Sequence, residues 1–234
     1  MGVSQIMNGQ VRHSDWKELY WLSGIGAIVS EVVLILGAVL FFIWPYAPGR
    51  LTTEEVFALL RNNPVGGAVS LDLLLLVGNV VALLLFLALF VSLRPVNPSY
   101  ALVALGMGLI AVALIVPARP IVEMFNLSGK YAAADAAAKS NILAAGDAVL
   151  AMFDGTSWAA NTILGGLSLL ISSILMLRSE RYNRLTGYVG IIVNIAVCSF
   201  FIPVVGIYLL ALAVPGYILW YALLAAAFFR AART

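Results

Sequence analysis

The sequence predicts an all-α polytopic membrane protein with six transmembrane helices and an extra amphipathic helix in the outer loop between spans three and four. Two observations carry this prediction. Of the 234 residues, 63% are hydrophobic and only 10% are charged, whereas a soluble domain is about half apolar and about a quarter charged. The apolar residues also fall into six runs, most of them near the ~20 residues that a helix needs to cross a bilayer.

The six predicted spans belong to a single integral membrane domain that occupies residues 1–234. Aromatic residues bound the first span, and arginine or proline follows each of the others. The last two apolar runs meet at Pro203, and together they are twice the length of one span, which favours a tight hairpin over one kinked helix. The spans are about 21–44, 69–93, 100–116, 156–177, 185–202 and 204–229.

Two loops contain further helices by their sequence. The first loop has a helix start at Thr52 or Thr53, followed by Glu54 and Glu55 as in a capping box. The segment from about 119 to 154 has an Ala-rich centre, which includes Asp135 and Lys139 at i,i+4 spacing. It is too polar to span the membrane, so we expect an interfacial or extramembrane helix there.

The basic residues predict the orientation. Six spans place both termini on one side, where eight of the 13 Lys and Arg residues then lie, in short loops. The other five lie in longer loops on the opposite side. By the positive-inside rule, both termini are cytoplasmic and the protein is a multi-pass component of the inner or plasma membrane.

An acid–amide pair occurs twice in the chain. "DLLLLVGN" runs from Asp72 to Asn79, and "DGTSWAAN" runs from Asp154 to Asn161. Each acid begins a span that ends in Leu-Arg, which suggests a duplicated helical hairpin. Chance similarity between hydrophobic helices is the equally weighted alternative. We expect each Asp to reach headgroup water at the outer interface and each Asn to join neighbouring helices.

Two polar residues fall near the middle of the bilayer. Glu31 is about ten residues into the first span, and Asn194 has a similar depth in the fifth. An ionised group at this depth is costly, and intramembrane acids are often functional. Glu31 is therefore either a protonated structural contact, with Asn194 or a hydroxyl as its partner, or a proton-exchanging group in a wet cavity.

Arg119 and Glu123 follow the third span at i,i+4 spacing. This spacing predicts a local ion pair at the outer interface, and anion binding is the less favoured alternative.

Several short motifs of the chain resemble those of a bacterial family of six-span membrane proteins known as domain of unknown function 4386. They are Leu93-Arg94-Pro95-Val96-Asn97, Phe153 with Trp158, Leu177-Arg178-Ser179, and Gly187-Tyr188-x-Gly190. The resemblance covers most of the chain from about Trp21. It implies six spans and a bacterial membrane, and it implies no activity.

The composition narrows the possible functions. His13 is the only histidine, no lysine lies within a span, and neither a P-loop nor a G-x-S-x-G motif is present. We therefore expect no metal site, no cofactor and no catalytic set. A net charge of +2 gives no reason to expect nucleic acid. The expected partners are the lipid bilayer and either another protein or a second copy of the chain.

Three functional hypotheses remain. The first is a non-catalytic membrane protein, either an accessory subunit of a complex or a binder of lipids or small apolar molecules. The alternative is a small proton-coupled secondary transporter that uses Glu31. The third, with the least support, is a lipid-modifying enzyme that uses Asp72 and Asp154.

Overall fold

The structure is a computed structural model that describes residues 16–43 and 51–233. These residues form α-helices joined by turns, without a β-strand among them, which confirms the predicted fold class. Short 3-10 turns occupy residues 151–154 and 199–201. The helices are α1 Lys17–Ile43, α2 Thr53–Asn62, α3 Pro64–Ser70, α4 Leu73–Leu93, α5 Pro98–Ala118, α6 Ile121–Ala133, α7 Ala136–Leu150, α8 Thr156–Met176, α9 Arg184–Cys198 and α10 Val205–Arg233.

Six segments, built on α1, α4, α5, α8, α9 and α10, are long and apolar enough to cross a membrane. These helices form a ring in which each packs mainly against two neighbours, in that order, and α10 closes the ring against α1. The chain alternates in direction around the ring. We call the end that holds the start of α1 and the end of α10 the terminal end, and the opposite end the distal end.

The terminal half of the ring is filled by a tightly packed core. Tyr20 stacks on Phe228 with ring centroids 6.3 Å apart, and Trp220 at the centre is completely buried. The loop after α8 closes this end, because Tyr182 shares a 2.7 Å hydrogen bond with Ser92. The terminal core also contains Ala27, Leu85, Ala88, Leu89, Leu175, Met176 and Leu224.

Helices α2, α3, α6 and α7 form a second packed unit at the distal end, which we call the distal layer. Its core consists of Val56, Phe57, Leu60, Ala68, Leu71, Ile121 and Met124. Ser128 of α6 donates a 2.8 Å hydrogen bond to the carbonyl of Phe57 in α2. Thr52 and Glu55 form a complete capping box at the start of α2. The hydrogen bonds from the Thr52 backbone N–H and hydroxyl lower the pKa of Glu55.

The structure refines the predicted elements in three places. The extra helix after the third span is present as two helices, α6 and α7, because Asp135 caps a new helix by accepting the N–H of Ala138 at 2.8 Å. The second span begins at Leu73 rather than Val69, since Asp72 adopts a left-handed conformation with φ 62°. At Pro203 the chain turns between α9 and α10, as the hairpin alternative predicts, with Val204 at φ 67°.

Two glycines of α5 test how closely the ring helices pack. A Cβ atom at Gly108 would collide with the ring of Phe86 in α4, whereas one at Gly106 would meet nothing within 4 Å. Gly108→Ala should therefore lower the free energy of unfolding by about 1–3 kcal/mol. Gly106→Ala should raise it by up to about 1 kcal/mol, because alanine favours the helix. Unfolding by dodecyl sulfate in mixed micelles measures both, and equal effects would contradict this packing.

Candidate functional site

A buried arginine lies where the ring meets the distal layer. Arg119 follows the last residue of α5, and only 4% of its side chain is exposed. Its Nε atom is 2.9 Å from Oδ2 of Asp72, the residue that precedes α4. Its Nη1 atom donates to the carbonyls of Ala118, at 2.8 Å, and Phe153, at 3.0 Å. Arg119 therefore joins the ends of three segments that are distant in sequence.

Two aromatic rings complete the surroundings of this arginine. The guanidinium carbon of Arg119 is 4.4 Å from the ring centroid of Trp158 and 5.0 Å from that of Phe153. Cation–π contacts of this kind stabilise a cation that has lost its water, here by about 1–2 kcal/mol each. The buried charge is thus balanced by a carboxylate and contacted by two carbonyls and two rings, all from this chain, although the Nε–H group is not aligned for a hydrogen bond with the carboxylate.

Asp72 is suited to this position by its backbone and its charge. Aspartate tolerates the left-handed conformation better than most residues do. Burial raises the pKa of its carboxyl group; the charge of Arg119 opposes this effect and the charge of Asp154 adds to it. Asp154 itself is exposed. Asp72 and Asp154, the two acids of the repeated pattern, therefore lie close enough for the charge of one to affect the other. Only Asp72 forms an ion pair with Arg119.

The predicted ion pair between Arg119 and Glu123 is wrong. The i,i+4 spacing requires one continuous helix, but Pro120 is the N-cap of α6, and Arg119 lies before it with φ −128° and ψ 72°. Glu123 is exposed on α6, while Arg119 turns towards the start of α4.

The two amides of the repeated pattern meet between α4 and α8. Asn161 donates to Oδ1 of Asn79 at 3.2 Å and to the carbonyl of Ala111 in α5 at 2.8 Å. Asn79 donates to the carbonyl of Leu75, one turn earlier in its own helix, at 2.9 Å. This network links three ring helices.

The other two predicted polar residues are not partners of each other. Asn194 is completely buried, donates to the carbonyl of Gly190 at 2.7 Å, and accepts from the hydroxyl of Tyr217 in α10 at 2.7 Å. Its carbonyl oxygen is therefore engaged by Tyr217 rather than by Glu31. Glu31 is half-buried, and its carboxyl group makes no hydrogen bond or ion pair with any residue in 16–43 or 51–233.

The inward face of α4 shows where the ring is not filled. Gly78 of α4 approaches Val33 of α1, and Asn79 of α4 bonds to Asn161 of α8. The part of the α4 surface that lies between Gly78 and Asn79 around the helix axis therefore points into the ring. Residues at helical spacing along this face change sharply in burial. Leu85, towards the terminal end, is 1% exposed, whereas Ala82, Gly78 and Leu75, towards the distal end, are all partly exposed.

Helix α1 shows the same change at the same level. Ala27, in the terminal core, is completely buried, but no residue of the stretch from Glu31 to Leu40 is buried. We call the partly exposed region between the inward faces of α1 and α4, in the distal half of the ring, the ring cleft. Its walls include Leu75, Gly78 and Ala82 on α4 and Glu31, Leu34 and Ala38 on α1.

Hydrogen bonds, an ion pair and cation–π contacts connect the helices at these sites. Within residues 16–43 and 51–233, no group of three or more His, Cys, Asp or Glu side chains could hold a metal ion. Tyr217 and the Asp72–Arg119 pairing are the features that sequence reasoning missed. The isolated Arg119 between Pro117 and Pro120, directly after an apolar helix, was the available signal for a buried arginine.

Breaking the Asp72–Arg119 ion pair should destabilise the contact between the ring and the distal layer strongly. Asp72→Asn keeps the shape of the side chain but leaves a buried guanidinium without its carboxylate, so it should lower the free energy of unfolding by about 3 kcal/mol. Combining it with Arg119→Met should restore much of this loss, because both charges are then removed.

The same dodecyl sulfate titration tests this double-mutant cycle. Glu123→Gln, a loss of an exposed acid on α6, is the control and should change stability by less than about 0.5 kcal/mol. Additive effects of the two junction substitutions would show that the ion pair contributes nothing.

Comparison with known proteins places the chain in a family. The profile described as "Domain of unknown function (DUF4386)" matches residues 31–230. This range covers the distal part of α1, the distal layer and the other five membrane-crossing helices, up to three residues before the end of α10. Neither the curated proteins nor the solved structures contain a match. As the resemblance of its motifs implies, this chain, with six helices that are long and apolar enough to cross a membrane, belongs to the DUF4386 family.

Proposed function

We propose that this protein is a non-catalytic membrane protein that binds a lipid or another small apolar molecule in the ring cleft. The observation that carries this proposal is the change in packing along the ring. Protein interiors are normally filled to the density of organic crystals, and the terminal core is filled in this way. The distal half leaves partly exposed, mostly apolar side chains on inward faces, as ligand-binding sites do.

The polar groups inside the ring support binding rather than catalysis. Asn161, Asn194 and Ser168 all donate to backbone carbonyls of the ring helices. Ser23 likewise donates to the carbonyl of Leu84 at 2.8 Å. In a membrane such bonds hold helices together. At the distal end, Arg119 occupies the carboxylate of Asp72, one of the two acids that a lipid-modifying enzyme would use.

The proposed orientation places the terminal end in the cytoplasm and the distal layer outside a bacterial inner membrane. The distribution of basic residues supports this, since eight of 13 then lie in short loops and tails on the cytoplasmic side. In this orientation the ring cleft lies in the outer half of the bilayer.

We also infer that the hairpins α4–α5 and α8–α9 derive from a duplication. Support comes from the contact between the equivalent residues Asn79 and Asn161, and from the shared direction of α4 and α8. The two copies differ at their starts, because Asp72 directly precedes α4, whereas Gly155 separates Asp154 from α8.

A large side chain placed in the ring cleft should weaken ligand binding there. Ala82 points into the ring and Val80, 48% exposed, lies on the opposite face of the same helix. Ala82→Phe should weaken binding of a neutral apolar probe by about tenfold or more, because the phenyl group of the new side chain would occupy the ring cleft. Val80→Phe is the control on the lipid-facing side and should leave binding within about twofold.

Triphenylphosphine oxide is a suitable probe, measured by equilibrium dialysis against the protein in lipid nanodiscs, with empty nanodiscs as the background. Mass spectrometry of the purified protein would identify any lipid that it retains. If neither the probe nor a lipid binds above background, the binding function is refuted. A stoichiometric protein partner that co-purifies instead would favour an accessory subunit.

A proton-coupled carrier is the second candidate, favoured by one observation. Glu31 is near the middle of α1, half-buried, and without a partner among the described residues. If it exchanges protons, liposomes that contain the protein and a pH-sensitive dye should show proton movement that Glu31→Gln abolishes. A proton signal that is equal in Glu31→Gln, or that is absent with the native protein, would reject the carrier.

A further inference from the structure

We propose that the ligand of the ring cleft is a small lipophilic cation, and that Glu31 is its counter-ion. This inference rests on the proposed binding function and narrows it to one class of ligand. Three observations lead to it: the face of α1 on which Glu31 lies, the absence of a cation beside it in the described residues, and its depth along the helix.

Glu31 lies on a face of α1 that points away from lipid. Tyr20, Gly24, Ala27 and Glu31 follow the 4-3-4 spacing of one helical face. Tyr20 stacks on Phe228 of α10, and a Cβ atom at Gly24 would contact Phe229. This face is therefore turned towards α10 and the ring interior. Glu31 is its first residue beyond the fully buried terminal core, at the floor of the ring cleft.

The charges around the ring cleft do not balance within the described residues. No Lys or Arg in 16–43 or 51–233 forms an ion pair with Glu31. Arg119, at the distal end, is already paired with Asp72. Lys17 is fourteen residues away, or about 21 Å along α1. A carboxylate in an apolar site is stabilised by an opposite charge. Here the bound ligand provides that positive charge.

The depth of Glu31 selects the kind of cation. It lies twelve residues from the distal end of α1 at Ile43, about 18 Å by the helical rise. The amine of a lipid headgroup stays at the bilayer surface, so a lipid that is held by its headgroup does not reach this acid. A cation whose charge is shielded by hydrocarbon enters such a site at low desolvation cost. The apolar walls of the ring cleft, such as Leu34 and Leu75, match a ligand of this kind.

The test compares two probes of nearly equal shape and different charge. Methyltriphenylphosphonium is cationic and triphenylphosphine oxide is neutral. In equilibrium dialysis with nanodiscs of a neutral lipid, the native protein should bind the cation more tightly. Glu31→Gln should weaken binding of the cation by about tenfold or more, because the charge attraction is lost. It should change binding of the neutral probe by no more than about twofold.

Two controls identify the source of each outcome. Glu123→Gln removes an exposed acid of the distal layer and should leave both probes unaffected. Retained binding of the neutral probe by Glu31→Gln shows that this variant is folded. If the cation binds native protein and Glu31→Gln equally, or if only the neutral probe binds, the cation proposal is refuted while the binding function stands. If neither probe nor a retained lipid is found, both proposals fall.

Discussion

The buried guanidinium of Arg119 is the constraint on which the distal end of the molecule depends. A cation removed from water must find every one of its partners within the protein, since an unpaired buried charge costs several kcal/mol. Here the partners come from the start of α4, the end of α5 and the turn before α8. These three segments can satisfy the arginine only when the distal layer lies correctly on the ring. One side chain thereby couples two packed units.

The two halves of the ring are packed by different kinds of side chain. In the terminal half, large side chains such as Trp220 and Phe228 interdigitate, and polar groups from the loop close the end. In the distal half, contacts between neighbouring helices rely on small residues and amides, as at Gly78 and Asn161. Small residues bring backbones together without filling the middle of a ring. The ring cleft follows from this difference.

Much of the architecture could be predicted from the sequence because lipid imposes simple rules. Length and hydropathy define the spans, and Pro203 marks the turn between the last two helices. The ion pair of Arg119 with Asp72 could not be predicted from length and hydropathy. It depends on the helix break at Pro120, and on the fold bringing Asp72 close to Arg119. Local spacing pointed to Glu123 instead. The ring cleft was equally inaccessible, because hydropathy does not distinguish an apolar residue that faces lipid from one that faces a space.

The lengths of the ring helices carry a consequence for the surrounding bilayer. Helices α4, α5 and α8 have 21 residues each, about 31 Å, which matches the hydrocarbon thickness. The adjacent helices α1 and α10 have 27 and 29 residues, about 40 and 43 Å. Such a pair must tilt, protrude or draw thicker lipid around itself. Lipids on one side of the molecule therefore meet a taller hydrophobic wall than those on the other, and bilayer thickness should set its preferred membrane region.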